Sequence, residues 1–323
     1  MATLVARTDR VGDLVLATPV PRAIKSVAPG EKVLFLCSRY ASGVLRGNPF
    51  VDEILELEDP ASLVEVMERV RALGVERALV LYPTFAVAAA LLCSGVPVRC
   101  SSGFRWYQLA FNRLTYLRRS LCLAKEWHYN LMLARLLFPE IDPFAFYPEV
   151  FPTERALEVA GSLLKGLPRP VVLVYPGGGG EMRWPPGRFR ALCGLLERVA
   201  TPVVVLGPME RELAPFFERW LLEAELSLEE LVGVVALCDA VVSNNTGPMH
   251  IAGALKKPLV QIFDPRLAVS PDRWGHHYPG AMVVRPPVPP CKRCHKGCKY
   301  YPCMDLLDEI VVFKAVLRCL RRR

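Results

Sequence analysis

Short apolar strands alternate with helical segments along two separate stretches of the chain, and this alternation restricts the fold more than any other feature. The runs that read as strands are residues 2–6, 32–37, 78–82, 170–176, 202–207, 240–244 and 258–263. Helical patterns stand between them, near 14–27, 60–73 and 187–199. Strands that alternate with helices form parallel βαβ units, so the pattern predicts an α/β protein with two doubly wound sheets.

A proline-rich stretch without a clear period, residues 139–154, separates the two alternating halves. It is typical of an interdomain linker and predicts domains over residues 1–150 and 151–323. Two domains also fit the length of 323 residues, at about 150 residues per domain. Open α/β sheets bind ligands at the carboxyl ends of their strands, so we expect a ligand in a cleft between the domains.

The net charge of +8 favours an anionic partner such as a phosphate ester, a nucleic acid or an acidic membrane surface. No nucleic-acid recognition fold is visible, so nucleic acid is not an expected partner. Charges at Arg7, Asp9, Arg10 and Asp13 argue against a signal peptide, and we expect a cytoplasmic protein with mostly reduced cysteines. The uncharged run 78–98 contains turn residues that favour a strand and a buried helix over a membrane span.

The sequence SNNTGPMH at 243–250 follows a strand and opens a helix. Thr246 or Asn245 can cap that helix, and Gly247 lets the backbone approach a ligand. The free N–H groups of a first helical turn attract anions, and His250 can face the same anion. The alternative is a well-capped helix with a histidine that faces the core.

A second junction, PGGGGEMRWPPGRF at 176–189, places Gly177 and Gly178 directly after a strand. Consecutive glycines permit close backbone approach to a ligand, and Arg183 and Arg188 could supply positive charge. The stretch matches neither a Walker loop nor a dinucleotide-binding fingerprint. The alternative is a flexible turn.

A third junction, RTDRVGDLVLATP at 7–19, places Gly12 in a turn and Asp13 at a helix start. Asp13 either caps the helix or acts as a general base in the cleft. The chain lacks the Asp-x-Asp signature of metal-dependent sugar transferases, and it also lacks Gly-x-Ser-x-Gly and His-Glu-x-x-His.

A cysteine run near the carboxyl terminus comprises Cys291, Cys294, Cys298 and Cys303. Four thiols at such short spacing could hold a structural zinc ion or an iron–sulfur cluster. The spacing fits no standard zinc finger, and the alternative is a set of free or structural thiols.

Several motifs, in one order along nearly the whole chain, resemble the ADP-heptose:lipopolysaccharide heptosyltransferase family. They are RVGDLVLATPVPRAIK near the start, GNPFVDEIL at 47–55, RWPPGRF at 183–189, LGPMERELA at 206–214, SNNTGPMHIAGAL at 243–255, DRWGHHY at 272–278 and the cysteine run. The resemblance implies a GT-B fold, in which two Rossmann-like domains face each other across a cleft. It also implies an inverting transfer of heptose from an ADP-sugar to a lipid-linked saccharide, without a metal or catalytic cofactor.

The resemblance assigns Asp13 as the catalytic base and Glu210 as a neighbour of the nucleoside ribose. Together with the glycine-rich junction, the expected donor site comprises Gly177, Gly178, Arg183, Glu210, Asn245, Thr246, Gly247 and His250. The expected acceptor side comprises Arg10, Gly12 and Arg105. The helix start at Gly247 would stabilise the leaving diphosphate.

Two positions depart from the family pattern. Met182 stands where the family often has lysine, and Asn245 stands where aspartate is common. These departures motivate an alternative function, a non-catalytic nucleotide or glycan binder with a degenerate donor site.

The aromatic and basic segment 104–119 falls in the family's acceptor region. It could meet an anionic glycolipid or a membrane surface as a peripheral contact. The alternative is a partly buried helix with a solvated basic face.

Overall fold

The computed structural model describes residues 1–178, 182–222, 225–292, 294–295 and 297–321. The chain divides into two compact units, Met1–Phe151 and Pro152–Arg323, called unit 1 and unit 2.

All residues of unit 1 are described, and its centre is a six-stranded parallel sheet. The strands are β1 (Ala2–Ala6), β2 (Lys32–Ser38), β3 (Glu53–Leu57), β4 (Arg77–Val80), β5 (Val98–Ser102) and β6 (Arg113–Thr115). Their order is β3-β2-β1-β4-β5-β6, so the direction of winding reverses between β1 and β4. Ligands of doubly wound sheets bind at such a reversal, outside the carboxyl ends of the two strands.

The helices of unit 1 cover a sheet whose central strands are apolar on both faces. They are α1 (Val11–Val15), α2 (Pro19–Val27), α3 (Leu63–Arg71), α4 (Phe85–Cys93) and α5 (Glu126–Ala134). Strands buried on both faces are typical of parallel sheets between two helical layers. This burial is the reason that continuous apolar runs in the sequence marked β1, β2 and β4 correctly. The partly exposed strands β3, β5 and β6 were not predicted.

The described part of unit 2 contains a five-stranded parallel sheet of order β11-β10-β9-β7-β8. The strands are β7 (Val171–Tyr175), β8 (Thr201–Val204), β9 (Ala240–Asn244), β10 (Leu259–Ile262) and β11 (Ala281–Val284). The helices are α6 (Glu154–Leu163), α7 (Pro186–Leu196), α8 (Ala214–Phe217), α9 (Leu228–Leu237), α10 (Gly247–Ala254), α11 (Pro271–Trp274) and α12 (Glu309–Leu320). Winding reverses between β7 and β9, which places the carboxyl ends of these two strands at the expected ligand position.

Three sequence-based boundaries differ from the structure. The single helix expected over 14–27 is two helices, because Pro19 begins α2 and a proline cannot continue the preceding helix. The segment 104–119 is not an α-helix: it forms a 3₁₀ turn at Trp106–Ala110 and strand β6. Most of the expected linker belongs to unit 1, which extends to Phe151.

The uncharged run 78–98 is strand β4 followed by the buried helix α4, as its turn residues indicated. Across the described ranges, every helix is too short or too polar to span a bilayer.

Candidate active site

Arg7 follows strand β1 and lies at the reversal point of the first sheet. Its side chain is 2% exposed and reaches two carboxylates of the loop and helix that follow. Nε and Nη2 donate to Asp9 Oδ1 and Oδ2 at 2.7 and 3.0 Å. Nη2 also donates to Asp13 Oδ1 at 2.5 Å.

The opposite edge of the Arg7 guanidinium faces helix α5. Its Nη1 lies 3.4 Å from Glu126 Oε1 and 3.3 Å from Asn130 Oδ1. Arg119 donates to the same Glu126 and Asn130 oxygens. A second Arg119 nitrogen, Nη2, donates to Leu81 O, which directly follows β4, at 3.2 Å.

These side chains form one connected group, the Arg7 cluster: Arg7, Asp9, Asp13, Arg119, Glu126 and Asn130. Burial acts to lower the pKa of Arg7, but the surrounding carboxylates outweigh it and raise that pKa. Arg7 therefore stays positively charged throughout the working pH range.

Asp13 is the third residue of α1, and its carboxylate pairs with Arg7 instead of capping the helix. The side chain is 15% exposed. Burial raises the pKa of Asp13 to about 6, and this effect outweighs the lowering by Arg7. A carboxylate with a pKa near 6 is mostly ionised at neutral pH, yet it accepts a proton readily, as a general base must.

Two of the three expected acceptor residues, Arg10 and Gly12, lie just before Asp13 in the chain. Arg10 is exposed and precedes α1, while Gly12 is buried within that helix. Arg105 is exposed on the loop after β5, at the carboxyl edge of the same parallel sheet. Their role toward an acceptor stays a prediction.

In unit 2, Asn244 ends strand β9 and holds the glycine-rich junction in place. Its Oδ1 accepts from Trp184 N at 3.1 Å. Its Nδ2 donates to Pro176 O at 3.3 Å and to Gly177 O at 3.0 Å. This buried amide joins β9 to both ends of the loop that contains Gly178. Residues 179–181 of that loop lie outside the described residues.

Gly178 has a φ of +144°, a conformation that side-chain-bearing residues rarely adopt. A Cβ atom there would lie 3.1 Å from Thr246 Cγ2, so the loop closely approaches the start of α10. Glycine is therefore required for backbone conformation and for space.

The start of α10 differs from the sequence prediction in one respect. Thr246 occupies the N-cap position, but its hydroxyl does not cap the helix. Instead, the hydroxyl bonds to Ser243 Oγ at 2.9 Å and Asn244 O at 3.3 Å. The first-turn N–H groups from Gly247 onward thus receive no side-chain cap, and such groups favour an anion. The Asn245 backbone N–H donates to Ile262 O at 3.1 Å, and its side chain bonds to none of the described residues.

Glu210 is buried and accepts a hydrogen bond from Tyr175 Oη at 3.1 Å. Two glycines leave room for this pair. A Cβ atom would lie 2.8 Å from Glu210 Oε1 if placed on Gly177, and 2.6 Å from Oε2 if placed on Gly207. Burial and the neighbouring carboxylate raise the pKa of Tyr175, so its hydroxyl remains a hydrogen-bond donor.

His250 is buried in α10, as the core-facing alternative expected. Its Nδ1 lies 3.2 Å from Nε2 of His276, which is also buried. The Gln261 side chain accepts from His276 N and donates to His276 O, which fixes the second histidine. A role of His250 toward a diphosphate stays a prediction.

The two arginines of the glycine-rich junction differ in their partners. Arg183 is half-buried, and its Nη2 lies 3.7 Å from Glu212 Oε1. Arg188 donates to Glu309 Oε2 at 2.5 Å and to Asp305 O at 2.9 Å, so it ties α7 to the segment around α12. Met182 packs against the hydrophobic core of unit 2 and supplies no charge.

The structure does not support the expected metal site at the cysteine run. Cys303 is buried, and Cys291, Cys294 and Cys298 are half-buried. Within the part of the chain that the structure describes, no three His, Cys, Asp or Glu side chains gather in a way that could hold a metal ion. Burial raises the pKa of Cys303 to about 11, which keeps it a thiol.

A sequence model of glycosyltransferase family 9 (heptosyltransferase) matches residues 65–303, well over half of the chain. The chain belongs to this family. Lipopolysaccharide heptosyltransferase 2 of Salmonella typhimurium is 26% identical over 304 residues, which cover 84% of each chain. The resemblance that the sequence motifs indicated is therefore confirmed, as is the prediction of a glycosyltransferase.

Solved structures show the same fold as this family 9 enzyme. The E. coli ADP-heptose LPS heptosyltransferase II has a TM-score of 0.83 at 22% identity, covering 99% of both chains. The E. coli heptosyltransferase WaaC with ADP-2-deoxy-2-fluoro heptose has a TM-score of 0.72 at 17% identity, covering 98% of this chain and 99% of that chain. The predicted α/β fold class of the GT-B type is confirmed.

Sequence reasoning missed four residues that organise these groups. In unit 1, Arg7 binds Asp9 and Asp13, and Glu126 in turn binds Arg7. In unit 2, Asn244 fixes the glycine-rich junction, and Tyr175 donates a hydrogen bond to Glu210. A polar residue at the carboxyl end of a buried strand is the signal that could have identified Arg7 and Asn244. No local signal marks Glu126, which lies in a helix far along the chain.

Proposed function

We propose that this family 9 enzyme transfers heptose, or a related sugar, from an ADP-sugar to a lipid-linked saccharide with inversion at the anomeric carbon. The observation that carries the proposal is Asp13, a largely buried carboxylate with a pKa near 6 at the reversal point of the first sheet. A carboxylate in this state can take a proton from an acceptor hydroxyl.

In the proposed reaction, Asp13 removes the proton as the acceptor oxygen attacks the anomeric carbon. The bond from that carbon to the diphosphate breaks, ADP leaves, and a single displacement inverts the configuration. Negative charge grows on the leaving diphosphate in the transition state. The uncapped first turn of α10, from Gly247, supports its stabilisation by backbone N–H groups and the helix dipole, without a metal ion.

The donor assignment rests on the family and on the residues of unit 2. WaaC was solved with an ADP-sugar analogue. In this enzyme, the Glu210 carboxylate packs against Gly177 and Gly207, and it could accept hydrogen bonds from ribose hydroxyls. Arg183, Asn245, Thr246 and His250 complete the proposed contacts with the diphosphate.

The decisive experiment compares the parent enzyme with Asp13→Asn in an ADP-release assay with ADP-heptose and an inner-core lipopolysaccharide acceptor. Loss of the base should reduce turnover by about 100-fold or more, while ADP affinity measured by calorimetry stays unchanged. Asp305→Asn, at an exposed carboxylate of unit 2, is the control and should retain full turnover. Parent-like turnover of Asp13→Asn would remove Asp13 from the mechanism.

The same assay separates the alternative of a non-catalytic binder, which Met182 favours because it places no cation beside the proposed diphosphate. That alternative requires ADP binding by the parent protein without any turnover. Turnover gained in Met182→Lys would then identify this position as the missing stabiliser.

An exposed surface of unit 1 supports the proposal of a lipid-linked acceptor. Trp106 and Leu109 are 74% and 87% exposed, and Trp106 lies 5.4 Å from the ring of the exposed Phe85. The neighbouring arginines 105, 113 and 118 are exposed as well. Aromatic and basic side chains together favour an anionic membrane interface. Trp106→Ala with Leu109→Ser should reduce sedimentation with anionic phospholipid vesicles, but not with zwitterionic ones.

A further inference from the structure

The loop and helix after β1 contribute two carboxylates to the Arg7 cluster, Asp9 and Asp13, and Arg7 forms different hydrogen bonds with each. Arg7 occupies both oxygens of Asp9, through Nε and Nη2. It occupies one oxygen of Asp13, Oδ1. Unit 1 is described in full, and none of its residues donates a hydrogen bond to Asp13 Oδ2.

An oxygen that accepts a proton from a substrate must have an accessible lone pair. Asp13 Oδ2 meets this condition, because the side chain is partly exposed and Arg7 binds only the other oxygen. Asp9 is similarly exposed, at 18%, but each of its oxygens already accepts a hydrogen bond from Arg7, so neither is as open to a substrate proton as Asp13 Oδ2.

We propose that Arg7 is a positioning residue that selects Asp13 over Asp9 as the base, and that Glu126 with Arg119 holds Arg7 in the orientation that does so. This inference rests on the proposed function of Asp13. It concerns only how the base is chosen and tuned.

Charge gives the cluster a second effect on Asp13. Two arginines and three carboxylates carry a net charge of −1 when all are ionised. Protonation of Asp13 makes the cluster neutral, so uptake of a proton relieves a charge imbalance in a buried place. Removing Glu126 and removing Arg7 must therefore act on the Asp13 pKa in opposite directions.

The charged groups that act most strongly on Asp13 are Arg7, Asp9 and Glu126. Arg7 and Asp9 face it from the end of β1, and Glu126 faces it from α5. Arg10 precedes α1, and Tyr40 donates its hydroxyl to Asp9 O from the 3₁₀ turn at Arg39–Val44. Of these groups, Arg7 alone bonds directly to the Asp13 carboxylate.

The test measures the Asp13 pKa directly by carboxyl ¹³C NMR, with the resonance assigned by its absence in Asp13→Asn. Glu126→Gln should lower the pKa, and Arg7→Met should raise it, each by about 1 pH unit or more. The double variant Arg7→Met with Glu126→Gln removes one charge of each sign and should have an intermediate pKa. If Arg7→Met alone does not fold, the comparison of the double variant with Glu126→Gln still measures the effect of Arg7 on the Asp13 pKa.

Arg77→Gln is the matched structural control. Arg77 pairs with the buried Glu31 at the amino edge of the same sheet, away from Asp13. This variant should lower the stability of unit 1 and leave the Asp13 pKa unchanged. Equal pKa values in parent, Glu126→Gln and the double variant would overturn the proposal, whether or not transfer is detected.

Turnover supplies the second readout. In Glu126→Gln, the acid limb of the kcat/KM profile should shift to lower pH, because the Asp13 pKa falls. In the double variant, the limb should lie at higher pH than in Glu126→Gln. Arg7→Lys keeps the positive charge but loses the planar guanidinium that bonds to Asp9 and Asp13 together. In this variant, kcat should therefore fall at least about 10-fold, with little change in the donor KM. If the acid limb lies at the same pH in the parent, Glu126→Gln and the double variant while Asp13→Asn is inactive, the role of Arg7 is refuted and the assignment of Asp13 as the base remains. Full activity of Asp13→Asn would instead refute the assignment of the base.

Discussion

The Asn244 amide should decide whether the glycine-rich junction of unit 2 keeps its shape. It makes three hydrogen bonds, one accepted from Trp184 and two donated to carbonyl groups of the junction. Each buried hydrogen bond contributes about 1 kcal/mol net, so Asn244→Ala should lower the free energy of unfolding by about 3 kcal/mol. The three backbone groups would lose their partner in a region that excludes water, which makes this a lower estimate.

Urea unfolding followed by tryptophan fluorescence is the appropriate assay, because the fully buried Trp184 reports on the same junction. A loss of about 3 kcal/mol lowers the midpoint by about 1–1.5 M urea for an m-value of about 2 to 3 kcal/mol/M. ADP affinity should weaken together with stability, because the loop that contains Gly178 is no longer held against α10.

Asn245→Ala is the matched control in the adjacent position. Over the described residues, the Asn245 side chain forms no hydrogen bond, so its removal should leave the urea midpoint unchanged. If Asn245 contacts the diphosphate as proposed, ADP affinity should fall in this variant without any loss of stability. A midpoint for Asn244→Ala within about 0.2 M of the parent would refute the assignment of Asn244 as the structural tie.

Three further perturbations follow from the same contacts. Gly177→Ala places a Cβ atom 2.5 Å from Tyr175 Cε1, and the overpacking should cost about 1–3 kcal/mol of stability and weaken ADP binding in calorimetry. Arg188→Ala breaks a half-exposed pair with Glu309, so thermal unfolding should change by about 1 kcal/mol or less and ADP affinity should not change. Burial raises the pKa of Asp13 to about 6 from its ordinary value of 3.8, so its ionisation destabilises the fold as pH rises through that window. In urea unfolding, Asp13→Asn should therefore gain stability relative to the parent as pH rises from about 4 to about 7.

Seven of the eleven described strands could be predicted, because they are largely buried on both faces and therefore read as unbroken apolar runs. Strands β3, β5, β6 and β11 are partly exposed, and the apolar pattern did not predict them. Element boundaries were less predictable where two signals compete. The apolar period continues through Pro19, yet the missing N–H of that residue starts a new helix. At 104–119, basic and aromatic residues suggested an amphipathic helix, whereas a short edge strand and a 3₁₀ turn form instead.

Candidate site residues could be located from the sequence where they lie at strand ends, but the distant partners that orient them could not. Asp13 and Gly178 belong to local junctions that the sequence displays. The partner that orients Arg7 is Glu126, 119 residues away, and only the folded sheet brings α5 beside β1. The pair Asn244 and Asn245 is ambiguous for a related reason, because local sequence does not say which amide is buried.

The Arg7 cluster also restricts how this sequence can change over evolutionary time. Loss of Arg7 alone would change the net charge of this buried cluster from −1 to −2, at a cost of about 3–5 kcal/mol, which most domains cannot tolerate. Paired replacement by neutral side chains avoids that cost. Homologous sequences that lack arginine at position 7 should therefore also lack the carboxylate at position 126, so the two positions should covary despite their separation along the chain.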